Sequence, residues 1–92
     1  MKVWVRGIGD LQEYFGKEPR EVLLREDAVL SDLLQVIDEQ WGKGLPPYMW
    51  NRDKHLFRGP VLCVVDRKAI QDLNTPLMDG VEIRIMRAVA GG

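Results

Sequence analysis

The 92-residue chain is poor in the residues that build covalent or metal cross-links, with one cysteine (Cys63) and one histidine (His55). A single thiol excludes an internal disulfide framework and a cysteine-built zinc site. His55 stands among Asp53, Lys54 and Arg58 with no second His or Cys at ligand spacing, so it reads as a solvated loop histidine. No metal and no bound cofactor is expected. Long apolar runs are missing too. No stretch approaches the ~20 residues of a membrane span, and Arg6 and Asp10 interrupt the first segment before it reaches signal-peptide length. Nor is charge of one sign gathered anywhere. The 13 basic and 14 acidic residues are interspersed and leave a net charge of -1, so the clustered basic footprint that nucleic acid demands is lacking. These absences point to a cytoplasmic protein of a reducing compartment, with neither membrane nor nucleic acid among its partners. Ninety-two residues support one modest core and no large enzymatic cleft, so a single domain over 1–92 is expected.

What is present is a sequence of short periodic segments. Lys2 to Arg6 alternates with period two, Val3 and Val5 to one side and Trp4 and Arg6 to the other, as a half-buried strand does. Gly7, Gly9 and Asp10 read as a strand-end turn, since no third glycine or following Lys-Ser/Thr makes a phosphate loop of them. After an irregular stretch around Leu11, Tyr14 and Phe15, Glu21 to Glu26 reads as a second strand, antiparallel to the first. Between Val29 and Trp41, Leu30, Leu33, Leu34, Ile37 and Trp41 form one helical stripe, with Asp27 as candidate N-cap and Gly42 as candidate stop. Asp38 and Glu39 read as part of that helix's solvated face.

Residues 43–58 follow neither period. Their LPPYMW stretch, Leu45 to Trp50, either packs on the helix end or selects an acceptor. Val61 to Val65 is a buried strand, in which Cys63 acts as a small hydrophobe. Asp66-Arg67 turns the chain into an edge strand near Ala69 to Gln71, and Asp79-Gly80 introduces a last strand over Val81 to Ile85. The order strand, strand, helix, strand, short strand, strand describes an α+β domain with one main helix across a mixed sheet of four to five strands. Its expected core is Val3, Val5, Val81, Ile83 and Ile85 against Leu30, Leu33, Leu34 and Ile37.

The chain then reads Met86-Arg87-Ala88-Val89-Ala90-Gly91-Gly92. A Gly-Gly ending is in most proteins a frayed terminus. Directly after a last strand it is also a narrow probe, whose only reactive group is the α-carboxylate. Residues 87–92 as a flexible tail would span about 20 Å at ~3.3 Å each, enough to thread a partner's channel that a Cβ near the end would obstruct. A carboxylate is a poor acyl donor until adenylation supplies AMP as leaving group.

The passage Asn74-Thr75-Pro76-Leu77-Met78-Asp79-Gly80-Val81-Glu82-Ile83 and the ending Ala88-Val89-Ala90-Gly91-Gly92 resemble the β-grasp sulfur carriers related to the molybdopterin-synthase small subunit and the thiamine-pathway carrier. The resemblance implies a ubiquitin-like β-grasp fold and a carrier that is not itself an enzyme, though it can count as the small subunit of a synthase. It implies that Gly92 bears the activated carboxylate and that Gly91 with Ala90 enters the partner's channel. A ubiquitin-activating-type adenylyltransferase, which uses the ATP, is the first implied partner, and a sulfur-accepting synthase subunit the second. The tail Val89, Ala88 and Arg87, with Met86, Arg84 and Trp4 on the outward sheet face, is the implied docking surface. A loop around Phe57 covering an edge Trp4 is the alternative reading of that aromatic. Two departures stand out. Asp66-Arg67 replaces the usual Asn-Gly, suggesting a different turn, and Arg87-Ala88 replaces the usual proline-containing pair, suggesting a more flexible, more basic tail. The expected acceptor is a molybdopterin-type cofactor, with cysteine synthesis as an alternative the residues do not separate from it; the length and the 43–58 loop disfavour the compact thiamine carriers, and lysine modification or a plain interaction module are further alternatives.

Overall fold

Alternating burial along β1 (Lys2–Gly7) follows directly from its alternating sequence: Val3 and Val5 are fully buried, Trp4 and Arg6 half-buried on the other side. The structure, a computed structural model, describes residues 1–88, and Val89, Ala90, Gly91 and Gly92 lie outside the described residues. β2 (Arg20–Leu23) pairs antiparallel with β1, as the sequence led one to expect, but stops three residues before Glu26. The connection between them is less irregular than its sequence suggests: a 3-10 turn, Gly9–Leu11, runs into the short helix α1 (Gln12–Phe15), which buries Leu11 and Phe15.

Helix α2 (Leu30–Trp41) buries Leu30, Leu33, Leu34 and Ile37, each contributing about 1.5–3 kcal/mol of apolar transfer. Its ends differ from expectation. Asp27 adopts a left-handed φ of 62° and does not cap; instead Asp32 Oδ2 accepts the Val29 N–H at 2.8 Å, satisfying a donor that the first turn leaves open. Gly42 does follow the last residue of the helix, as expected, but it stays in the right-handed helical region and opens a 3-10 turn, Gly42–Gly44, in place of a left-handed stop. Glycine is needed there for proximity, since a Cβ would sit 2.6 Å from Asp38 Oδ1.

Residues 43–58 fold as a small annex. Here β3 (Trp50–Asn51) and β4 (Leu56–Phe57) pair antiparallel, and Trp50 meets Phe57 edge-on at 4.7 Å. Leu45, Met49 and Trp50 are buried, whereas Tyr48 is 64% exposed. β5 (Val61–Val65), β6 (Lys68–Ile70) and β7 (Glu82–Arg87) complete a mixed sheet of order β2-β1-β7-β5-β6, with β1 and β7 parallel at its centre. The β5–β6 turn places Asp66 and Arg67 both at positive φ (49° and 68°), the type I′ requirement that Asn-Gly meets more easily, so the substitution does not change the turn's hand. Helix α2 and the inner sheet face enclose one apolar cluster containing every expected core residue except Val81, which packs partly buried at its margin. Among the described residues no helix is long and apolar enough to cross a membrane.

Candidate functional site

Among the described residues the outer face of the sheet carries no helix. Because side chains alternate along each strand, the partners of the core residues all surface here: Trp4 and Arg6 from β1, Glu82, Arg84 and Met86 from β7, Leu62 and Val64 from β5. Three of the sequence-predicted docking residues are thereby brought together. Trp4 lies opposite Glu82 across the parallel pair, one diagonal step from Arg84, while Met86 lies opposite Leu62. β1 is an inner strand, so Trp4 is not an edge aromatic, and Phe57 packs with Trp50 in the annex. The Lys2 ammonium stands 6.0 Å from the Trp4 ring. Glu82 Oε1 joins two cations, Arg84 Nε at 3.1 Å and Arg6 Nε at 3.4 Å. These pairs are solvent-exposed and worth ~0–1 kcal/mol each, so they arrange charge more than they stabilise.

Arg87 does not join this face. It is the last residue of β7 and shares the side of Ile83 and Ile85, where its Nη2 meets Asp10 Oδ2 at 2.8 Å. Ala88, the next residue, donates its N–H to the Pro60 carbonyl at 2.7 Å. The chain is therefore held through Ala88, and the free reach predicted for residues 87–92 shortens. The four residues beyond, extended, give about 13 Å in place of about 20 Å. Sequence reasoning did not foresee Asp10; its only signal was an acid in the Gly-Ile-Gly-Asp turn and an unexplained arginine at the end of the last strand.

A second polar centre was also missed. Asp38, read as a solvated helix position, is 13% exposed; it accepts Trp50 Nε1–H at 2.7 Å and Arg52 Nε–H at 3.2 Å, with His55 Nε2 at 3.6 Å. The indole hydrogen bond first, and the guanidinium second, hold its carboxyl below the ordinary carboxylate value. The faint signal was Gly42 one turn on, which leaves that side of the helix open for the indole. The LPPYMW stretch thus packs on the helix end through Trp50. His55 faces this carboxylate rather than bulk water alone.

Little else in the body suits chemistry. Cys63 is buried in β5 and its thiol is pushed up to about 12 by desolvation, which leaves no thiolate at neutral pH. Among the described residues no three or more His, Cys, Asp or Glu side chains cluster to hold a metal. One hollow of about 190 Å³ lies between α2, the annex and β5, and another of about 270 Å³ beside the 75–81 segment.

No family model matches the chain, and no curated protein matches it. Solved structures do. The small archaeal modifier protein 1 of Haloferax volcanii is 20% identical over all of both chains, with a TM-score of 0.77. Urm1 of Trypanosoma brucei is 18% identical over 99% of this chain and 95% of its own, with a TM-score of 0.71. A chain in the complex of subunits 1 and 2 of the molybdopterin-converting factor of Helicobacter pylori is 26% identical over all of both chains, with a TM-score of 0.67. The chain has a ubiquitin-like β-grasp fold of the type shared by the molybdopterin-synthase small subunit and the small modifiers, as the passage from Asn74 to Ile83 implies.

Proposed function

We propose that the chain is a cytoplasmic sulfur carrier, not an enzyme by itself, whose Gly92 carboxylate is adenylated by a ubiquitin-activating-type partner. That partner supplies the ATP site. Adenylation forms the carboxyl–phosphate anhydride and releases pyrophosphate. Sulfide then attacks the carbonyl carbon, the bond to AMP breaks with its electron pair leaving on AMP, and a C-terminal thiocarboxylate remains. Its sulfur passes to a second partner, a synthase subunit building a molybdopterin-type cofactor. The observation that carries this reading is β7. This central strand of a β-grasp sheet runs to Arg87, directly before the Ala88-to-Gly92 sequence, and borders an outer face that carries no helix among the described residues. The 26% identity to the converting-factor chain favours this acceptor over the others.

On this reading the body's work is docking. Trp4, Arg84 and Met86 offer the aromatic, arginine and methionine composition that interface cores favour. Ala88, Val89, Ala90 and Gly91 lead Gly92 into the channel. A second reading, a modifier joined to lysine amines through the same adenylate, is favoured by the TM-score of 0.77 to the archaeal modifier.

Incubation with the activating partner, ATP and sulfide, followed by intact-mass analysis, is expected to replace one oxygen by sulfur at the C-terminus. Lysine-linked adducts in extracts, without that replacement, select the modifier. Deleting Gly91-Gly92 is expected to abolish either product with the thermal midpoint unchanged. A truncated chain that still rescues its pathway defeats both and leaves an interaction module.

A further inference from the structure

The geometry points to Asp10 as a positioning residue that fixes the root of the carboxylate tail by clamping Arg87, an inference that rests on the carrier reading above. The turn bearing Asp10 is firmly placed. Leu11 is fully buried, the Ile8 N–H donates to the Ile85 carbonyl at 2.9 Å, and Gly7 packs so closely that a Cβ would sit 2.6 Å from the Leu11 carbonyl oxygen. Gly9, at φ 60°, turns the chain in the left-handed region that glycine tolerates. These features aim the Asp10 carboxylate at the last residue of β7. Its contact with Arg87 Nη2, at 2.8 Å, is the shortest ion pair among the described residues. Arg87 Nε is buried without a hydrogen-bond partner among them, so the guanidinium is partly desolvated and Asp10 is the group that compensates its charge.

Two restraints thus converge on one point. The Asp10 clamp holds the Arg87 side chain, and the Pro60 carbonyl holds the Ala88 N–H from the neighbouring strand connection. Four residues can span at most about 13 Å, so a small swing at the root displaces the carboxylate from a partner's active site. Ile8, Gly9, Asp10, Met86 and Arg87 also line one shallow hollow, which joins the clamp to the docking face through Met86. The clamp therefore acts after docking. It determines what fraction of docked chains place Gly92 where adenylation occurs.

The test measures ATP–pyrophosphate exchange by the activating enzyme as a function of carrier concentration, together with amide hydrogen exchange at Ala88. Asp10→Ala is expected to lower kcat about threefold, the scale of one favourably placed surface ion pair, with KM unchanged. The Ala88 amide is expected to exchange faster while that of Ile83 does not change. The charge-reversed pair Asp10→Arg with Arg87→Asp is expected to restore both. A rise in KM at constant kcat makes Asp10 a partner contact and overturns the inference. So does an Ala88 amide indifferent to Asp10→Ala, or a reversed pair that restores nothing. Wild-type protein that supports no exchange of label with ATP sinks the carrier reading instead, and the Ala88 amide still decides whether the clamp exists.

Discussion

Ile83 and Arg84 are neighbours on β7 and belong to unlike surfaces. Ile83 is fully buried in a cluster without a single buried polar or charged side chain, whereas Arg84 is exposed beside Glu82, on a face where Trp4, Met86, Leu62 and Val64 keep only partial cover. The inner face stabilises the domain because helix α2 removes it from water. The outer face, equally built by the strands, carries no helix among the described residues, and its charges are arranged rather than buried. A period of two in the sequence divides the labour. The same strand can then be altered on one side for stability and on the other for recognition, with little cross-talk.

Ile83→Ala is the strongest way to break that division. A buried aliphatic truncation costs about 2–5 kcal/mol, which lowers the thermal midpoint of a domain this size by roughly 10 °C or more. Calorimetry reads the loss, and the protein that remains folded is expected to dock with unaltered affinity. Next in size, Trp4→Ala combined with Arg84→Ala is expected to weaken binding to the activating partner about tenfold or more while moving the midpoint little. Isothermal titration beside a melting curve checks it. If the affinity holds and the midpoint drops instead, the outer face is structural and the comparison collapses.

The division between faces was legible because periodicity is local. Val3 and Val5, Ile83 and Ile85, and the stripe from Leu30 to Ile37 were all assigned correctly from spacing alone. What escaped depends on residues that meet only after folding. Gly42 marks the helix end as a glycine after an apolar stripe usually does, but the reason for glycine was hidden: it admits the Asp38 carboxylate and the Trp50 indole, which arrives from the annex. Asp38 looked solvated for the same reason. The Arg87–Asp10 pair joins the two ends of the chain and leaves no mark on local pattern, so Arg87 looked like tail when it is strand. The short helix α1 spans only Gln12–Phe15, too few residues for a helical period to show.

A finer test of the comparison asks how the inner face's cover is seated. Helix α2 begins where Asp32 accepts the Val29 N–H at 2.8 Å and an Arg25 guanidinium hydrogen bond at 3.0 Å. The Val29 bond first, and Arg25 second, hold the Asp32 carboxyl below its ordinary value of 3.8. Because the folded-state value is the lower one, the stabilisation is fully present above the ordinary carboxylate value and is lost as pH falls through the depressed one; Asp38 carries the same sign. The urea midpoint is therefore expected to stay nearly level from pH 7 to 5 with respect to these groups, and to fall below about pH 4. Asp32→Ala is expected to remove about 1 kcal/mol at neutral pH and to make the acid fall shallower, since the substituted chain has less left to lose. Partner affinity at neutral pH is expected not to change, because Asp32 belongs to the helix side and the outer face keeps its own charges. An Asp32→Ala protein with unchanged acid sensitivity shows that apolar burial alone seats the helix. One with weakened docking shows instead that the two faces are coupled through the sheet.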